Sequence, residues 1–92
     1  MERKILTKHP AGKSGVRISR EKYEVMREAI MDVLRAKREA THAELVSAVE
    51  SSLQGRFAGS IPWYCETTKL DLEARKVIER VPGPKATIYR IR

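Results

Sequence analysis

Ninety-two residues make one small domain with a modest core, and 41% hydrophobic with 34% charged residues excludes a disordered chain. No apolar run approaches the ~20 residues of a membrane span, no apolar stretch behind Arg3 and Lys4 suggests a secretory leader, and a single cysteine, Cys65, supports neither an internal disulfide nor a metal site alone, so a reduced cytoplasmic protein is expected. The net charge of +7 suits a polyanionic partner.

Residues 1–18 show no helical period. His9-Pro10-Ala11-Gly12-Lys13-Ser14-Gly15 is rich in breakers, so this segment reads as a basic N-terminal arm, with Val16-Arg17-Ile18 as a short extended piece. A first helix is predicted over 19–38. Ser19 caps it, Glu21 suits the positive end of its dipole, and Ile18 with Tyr23 fits a hydrophobic staple. Tyr23, Met26, Ile30, Val33 and Leu34 then recur at helical spacing. Thr41-His42-Ala43-Glu44 is a capping box that opens a second helix over 41–54, with Leu45, Val49 and Leu53 on one face and Gly55 set to stop it. Phe57 is expected to fold back onto the core. A third helix, 60–76, starts at Ser60 with Pro62 in its first turn, and its inward stripe is Ile61, Cys65, Thr68 and Leu72. The period then changes to alternation. Strands are predicted over 77–81 and 86–92, joined at Pro82-Gly83-Pro84-Lys85. The expected class is mainly α with a small β-hairpin (α+β), organised as an arm, 1–18, and a domain, 19–92.

The stretch from Leu70 to Arg80, Leu-Asp-Leu-Glu-Ala-Arg-Lys-Val-Ile-Glu-Arg, resembles the end of the recognition helix and the first wing strand of many bacterial winged helix-turn-helix regulators. Their pattern is Leu-Glu-Ala-Arg-Gly-Leu-Ile-Glu-Arg. Taken with Thr41-His42-Ala43-Glu44-Leu45-Val46 and Gly59-Ser60-Ile61-Pro62-Trp63-Tyr64, it is similar to a family of small uncharacterised winged-helix proteins. The resemblance covers residues 19–92. It implies a winged helix-turn-helix fold and, by association, binding of duplex DNA in transcriptional regulation. One departure stands at Lys76, where the related proteins carry glycine. Either Lys76 takes the left-handed conformation at about 1 kcal/mol or the helix ends differently, which leaves the entry to the wing open.

In a winged helix the outer face of the third helix enters the major groove and the wing touches the backbone. On that reading Ser60, Trp63, Tyr64, Thr67 and Lys69 meet the groove, with Lys69 at its rim, and Arg80, Lys85 and Arg90 hold phosphates. Lys85, next to the wing tip, is the strongest of these. Lys13 and Arg17 of the arm would lie along the minor groove, although such tails are more often simply solvated. The charge distribution fits. Residues 1–20 carry six basic side chains against one acidic, residues 76–92 five against one, and residues 21–75 eight against ten. The outward side of the third helix, Trp63, Glu66, Thr67, Leu70, Glu73 and Ala74, is a poor base-reading surface. It offers no Arg, Asn or Gln, and its two glutamates would face phosphates.

The alternative is a protein-interaction domain that uses Trp63, Glu66, Leu70 and Glu73 as its docking face and binds no DNA. The cover for Trp63 and Leu70 would be the arm, through Val16 and Ile18, or a second subunit, or another protein. The sequence supplies no dimerisation helix after the wing, so a homodimer would use the first helix or the arm. Nothing points to an enzyme or a cofactor. Gly12-Lys13-Ser14 matches the end of a phosphate-binding loop, but Thr7 stands where the upstream glycine belongs. His9 and His42 have no partner at metal-ligand spacing. Cys65 lies on an inward stripe with no identifiable base.

Overall fold

The helices begin where their capping chemistry lies. The computed structural model describes residues 3–13 and 15–92, so Ser14 of the loop-like Gly-Lys-Ser triplet falls outside it. Three helices and five short strands follow in the order β1 (Lys4–Leu6), β2 (Arg17–Ser19), α1 (Arg20–Lys37), β3 (Glu39–Thr41), α2 (His42–Leu53), α3 (Ile61–Ala74), β4 (Ile78–Val81) and β5 (Ile88–Ile91). Ser19 and Ser60 each accept a backbone N–H from the first turn of their helix. Thr41 and Glu44 form the reciprocal capping box, with bonds of 2.9 and 3.2 Å. Gly55 takes the positive φ foreseen for it.

The core is the junction of the three helices. Met26, Ile30 and Leu34 of α1 pack with Leu45 and Val49 of α2 and with Cys65 and Leu72 of α3. Ala40 and Ile78 close it from the strands, and Phe57 and Ile61 pack against its edge. Each fully buried aliphatic side chain contributes about 1.5–3 kcal/mol, which makes this junction the main source of stability.

Two antiparallel sheets surround it. The predicted wing strands are present but shorter than expected, as β4 and β5, because the chain from Pro82 to Thr87 forms the connection. The sheet has a third strand that the sequence reading missed. β3 pairs with β5, Ala40 opposite Tyr89, giving the order β3-β5-β4. The arm is the larger difference. It folds back as a hairpin in which β1 pairs with β2, Ile5 opposite Ile18. Thr7 and Val16 continue the hairpin. The Thr7 N–H donates to the Val16 carbonyl at 2.9 Å, and the Val16 N–H donates to the Thr7 hydroxyl at 3.0 Å. Gly15 permits this closure, because a Cβ there would lie 1.6 Å from the Thr7 carbonyl oxygen.

The end of α3 settles how the chain enters β4. Lys76 takes φ +65°, the left-handed conformation that glycine adopts without steric cost. Its N–H donates to the Glu73 carbonyl and that of Val77 to the Leu72 carbonyl, at 3.1 and 3.0 Å, a Schellman closure. Lys76→Gly should therefore raise stability by roughly 0.5–1 kcal/mol, the relief of the left-handed strain less the extra freedom of unfolded glycine. Urea unfolding with an unchanged m-value is the check, and a fall in stability would mean the lysine stem contributes packing that outweighs its backbone strain.

Candidate nucleic-acid interface

Helix α3 is buried along one stripe, and its other sides are shaped by what packs beside them. Its first turn carries an aromatic step. Gly59 lies so close to the Tyr64 ring that a Cβ would come within 2.9 Å of it. The Tyr64 ring meets Phe57 edge-on at 5.1 Å and Trp63 edge-on at 4.9 Å, and the Lys22 ammonium stands 5.5 Å from its centre. Trp63 is thereby held in place while 47% of its surface stays exposed. Thr67, Leu70 and Ala74 are half-buried on the same outward arc, and the half-exposed Glu66 borders it.

The charged residues of α3 leave that arc. Lys69 and Asp71 lie on opposite flanks of the buried stripe, roughly 80° to either side of it at the helical repeat, and both are covered. Lys69 was expected at the rim, reaching a phosphate. It is 2% exposed instead. Its ammonium donates to His42 Nδ1 at 2.9 Å, to Glu66 at 3.3 Å and to the Tyr89 hydroxyl at 3.3 Å, and sits 4.3 Å from the centre of the Tyr89 ring. His42 Nε2 is 3.4 Å from the same Glu66 carboxylate, so the imidazole accepts from the lysine on one nitrogen and donates to the glutamate from the other. Glu73, expected to face outward, is buried and held by Arg80 through two bonds of 2.8 and 3.0 Å. The shift from rim to interior has a simple cause: α2, β4 and β5 close over this flank.

Asp71 occupies the other flank and is fully buried. Its carboxylate accepts the backbone N–H of Lys8 at 2.8 Å, the Tyr23 hydroxyl, and Arg75 Nε at 2.9 and 3.0 Å. These donors come from the arm, α1 and α3. Burial, first, and the bond to Asp71 push the Tyr23 phenol from 10 up to about 12. Sequence reasoning missed this cluster. The Asp71/Arg75 spacing is one helical turn, an ordinary surface pair by pattern, and only the docked arm turns it into an interior one.

The remaining predicted residues separate into two groups. Arg80 and Arg90 lie on the wing strands but are engaged, Arg80 with Glu73 and Arg90 with Glu79 at 2.7 Å. Lys13, Arg17 and Lys85 are exposed and, among the described residues, have no acidic partner. Ser60 is engaged in its capping bond to the Trp63 N–H. The arm approaches α3 at its C-terminal half, where His9, Pro10 and Ala11 face Leu70, Glu73 and Arg80 across a shallow cleft. Ile18 of the arm is buried, as a cover would be, but Val16 and Trp63 stay exposed, so the arm shields the Leu70 end and not the tryptophan. Burial pushes the Cys65 thiol up to about 11. Among the described residues, no three His, Cys, Asp or Glu side chains come together to hold a metal ion, and no helix is long and apolar enough to cross a membrane.

Three helices with a two-stranded and a three-stranded antiparallel sheet define an α+β protein whose most exposed aromatic side chain sits on α3. The chain belongs to a family of unknown function (DUF6958), whose model matches residues 4–88. No curated protein matches it.

The two flanks of α3 respond differently to substitution. Lys69→Ala should cost about 2–3 kcal/mol, because it opens a void and strips a donor from the buried Tyr89 hydroxyl. Glu66→Gln, at the half-exposed end of the same cluster, should cost less than about 1 kcal/mol. Equal costs by denaturant unfolding would contradict the burial gradient. On the other flank, the contribution of Tyr23 is complete below pH 10, the ordinary value, and disappears as the pH rises through about 12. Absorbance titration of the wild type against Tyr23→Phe should show the missing tyrosine to be one that ionises near pH 12.

Proposed function

We propose that this chain is a cytoplasmic winged helix-turn-helix protein that binds duplex DNA, with α3 as the groove-facing helix and the β4–β5 wing and the arm hairpin on the phosphates, in the service of transcriptional regulation. The element order α1, β3, α2, α3, β4, β5 and the sheet order β3-β5-β4 support the fold assignment.

The observation that carries the DNA reading is the neutralisation of the acids around α3. Between Ser60 and Arg92 there are four acidic residues, and each is held in an ion pair: Glu66 by Lys69, Asp71 by Arg75, Glu73 by Arg80, Glu79 by Arg90. The objection that Glu66 and Glu73 would repel phosphates loses its force. Against these four acids the same segment holds seven basic residues, and the surplus includes Lys76 and Lys85. The hairpin adds Lys8, Lys13 and Arg17. Phosphate contacts supply affinity and register, and the Trp63 and Thr67 end of α3, which the arm leaves open, gives readout limited to shape and apolar contact with thymine methyl groups.

Binding to a labelled mixed-sequence duplex across a salt series tests this. Affinity should fall linearly on a log–log scale with a slope of about −0.9 per phosphate contacted. Lys85→Ala should reduce the magnitude of that slope by about 1 and weaken binding to all sequences alike. Absence of binding at low salt, despite the charge of +7, would overturn the reading. It would favour the second one, a protein partner docked on the exposed Trp63.

A further inference from the structure

We propose that Asp71 is a positioning residue: its buried carboxylate fixes the basic hairpin beside α3, so that Lys8, Lys13 and Arg17 act as a preformed phosphate clamp and not as a flexible tail. This inference rests on the DNA-binding reading above.

The hairpin closes on itself by strand pairing, by the reciprocal Thr7 and Val16 bonds and by the Arg20 N–H donating to the Arg3 carbonyl at 2.9 Å. The last of these ties Arg3 to the first residue of α1, and β2 runs into α1 without a linker, so the base of the hairpin is fixed to α1; none of these bonds fixes its loop end against α3. Ile18 contributes burial, which is non-directional. The polar tie is the Lys8 N–H to Asp71 at 2.8 Å, and Asp71 is itself oriented by Tyr23 of α1 and Arg75 of α3. The carboxylate thus holds the loop end of the hairpin against α3. It also sets the His9–Ala11 turn across the cleft from Leu70 and Arg80, at the meeting of α3 and the wing. Lys8, Lys13 and Arg17 are exposed on either side of that turn. A tail would have to be ordered each time it met DNA, whereas a docked hairpin is ordered when the domain folds.

Charge and position make opposite predictions here. Asp71→Leu removes a negative charge together with the acceptor for the Lys8 N–H, so electrostatics alone would tighten DNA binding. Displacement of the hairpin would weaken it. The expected result is affinity reduced by about tenfold or more near physiological salt, with a slope smaller by about 0.9 for every phosphate the hairpin no longer reaches. Gly15→Val, which leaves the net charge unchanged and drives a Cβ into the Thr7 carbonyl, opens the same hairpin away from Asp71 and should weaken binding to the same extent. Amide exchange of Lys8 and Val16 reports release of the hairpin in both variants, and far-ultraviolet circular dichroism reports that the helices remain. A wild-type chain that fails to bind the duplex defeats the DNA reading before any variant is made. Wild-type binding that survives hairpin release unchanged or tightened overturns the clamp alone, as does a Lys8 amide still protected in Asp71→Leu.

Discussion

A carboxylate removed from water must find its full complement of donors inside the protein, or the fold that buries it is not stable. Asp71 is in that position. Its donors are a backbone amide from the arm, a phenol from α1 and a guanidinium one turn along α3. No one segment can satisfy it, so the arm, the first helix and the third helix are required together. The segment with the most breakers in the chain is for this reason an ordered part of the structure.

The opposite flank of α3 obeys the same constraint with the sign reversed. Lys69 is a buried ammonium, and its partners come from α2, α3 and β5. Between the two buried charges α3 is gripped on both sides, and its polar groups are drawn toward the grips. What is left facing outward is Trp63 with Thr67, Leu70 and Ala74, bordered by the half-exposed Glu66. Of the acids that a helical wheel assigns to the surface, Glu73 becomes an internal counter-ion and the half-exposed Glu66 pairs with the buried Lys69, while excess cations stand on the hairpin and around β4 and β5. The distribution of charge on the surface is thus a by-product of how the interior charges were satisfied.

This division also explains what the amino-acid sequence could and could not disclose. Helix starts are local chemistry, and Ser19, the Thr41/Glu44 box and Ser60 identify them within four residues. The stripe Cys65, Thr68 and Leu72 follows from periodicity, and so does the exposure of Trp63. Strand β3 was hidden because Glu39-Ala40-Thr41 is three residues long, has little strand preference, and ends in the cap of α2. Only pairing with β5 makes it a strand. Lys69 and Glu73 were misplaced, and Asp71 was passed over, for a related reason. A helical wheel recognises one buried face, while α3 has neighbours on three sides, and the partners of Asp71 lie 63 and 48 residues away. Lys76 is the converse case, a residue whose unfavourable conformation was legible because a glycine pattern surrounds it.

The distribution of charge bears on how selective such a protein would be on DNA. Discrimination between base pairs comes mostly from bidentate partners at base edges, and the outward arc of α3 holds none. Contacts to phosphate raise affinity for every sequence equally. A surface with neutralised acids, a rigid cationic hairpin and a wing therefore favours binding over discrimination, unless the duplex adapts in shape to two clamps set at a fixed separation. Rigidity matters here. A mobile arm accommodates any groove width, but a docked hairpin fits some widths better than others, and the cost of deforming the duplex depends on its sequence. On the proposed reading, whatever sequence preference the protein has arises less from the side chains of α3 than from the geometry that Asp71 imposes on the arm.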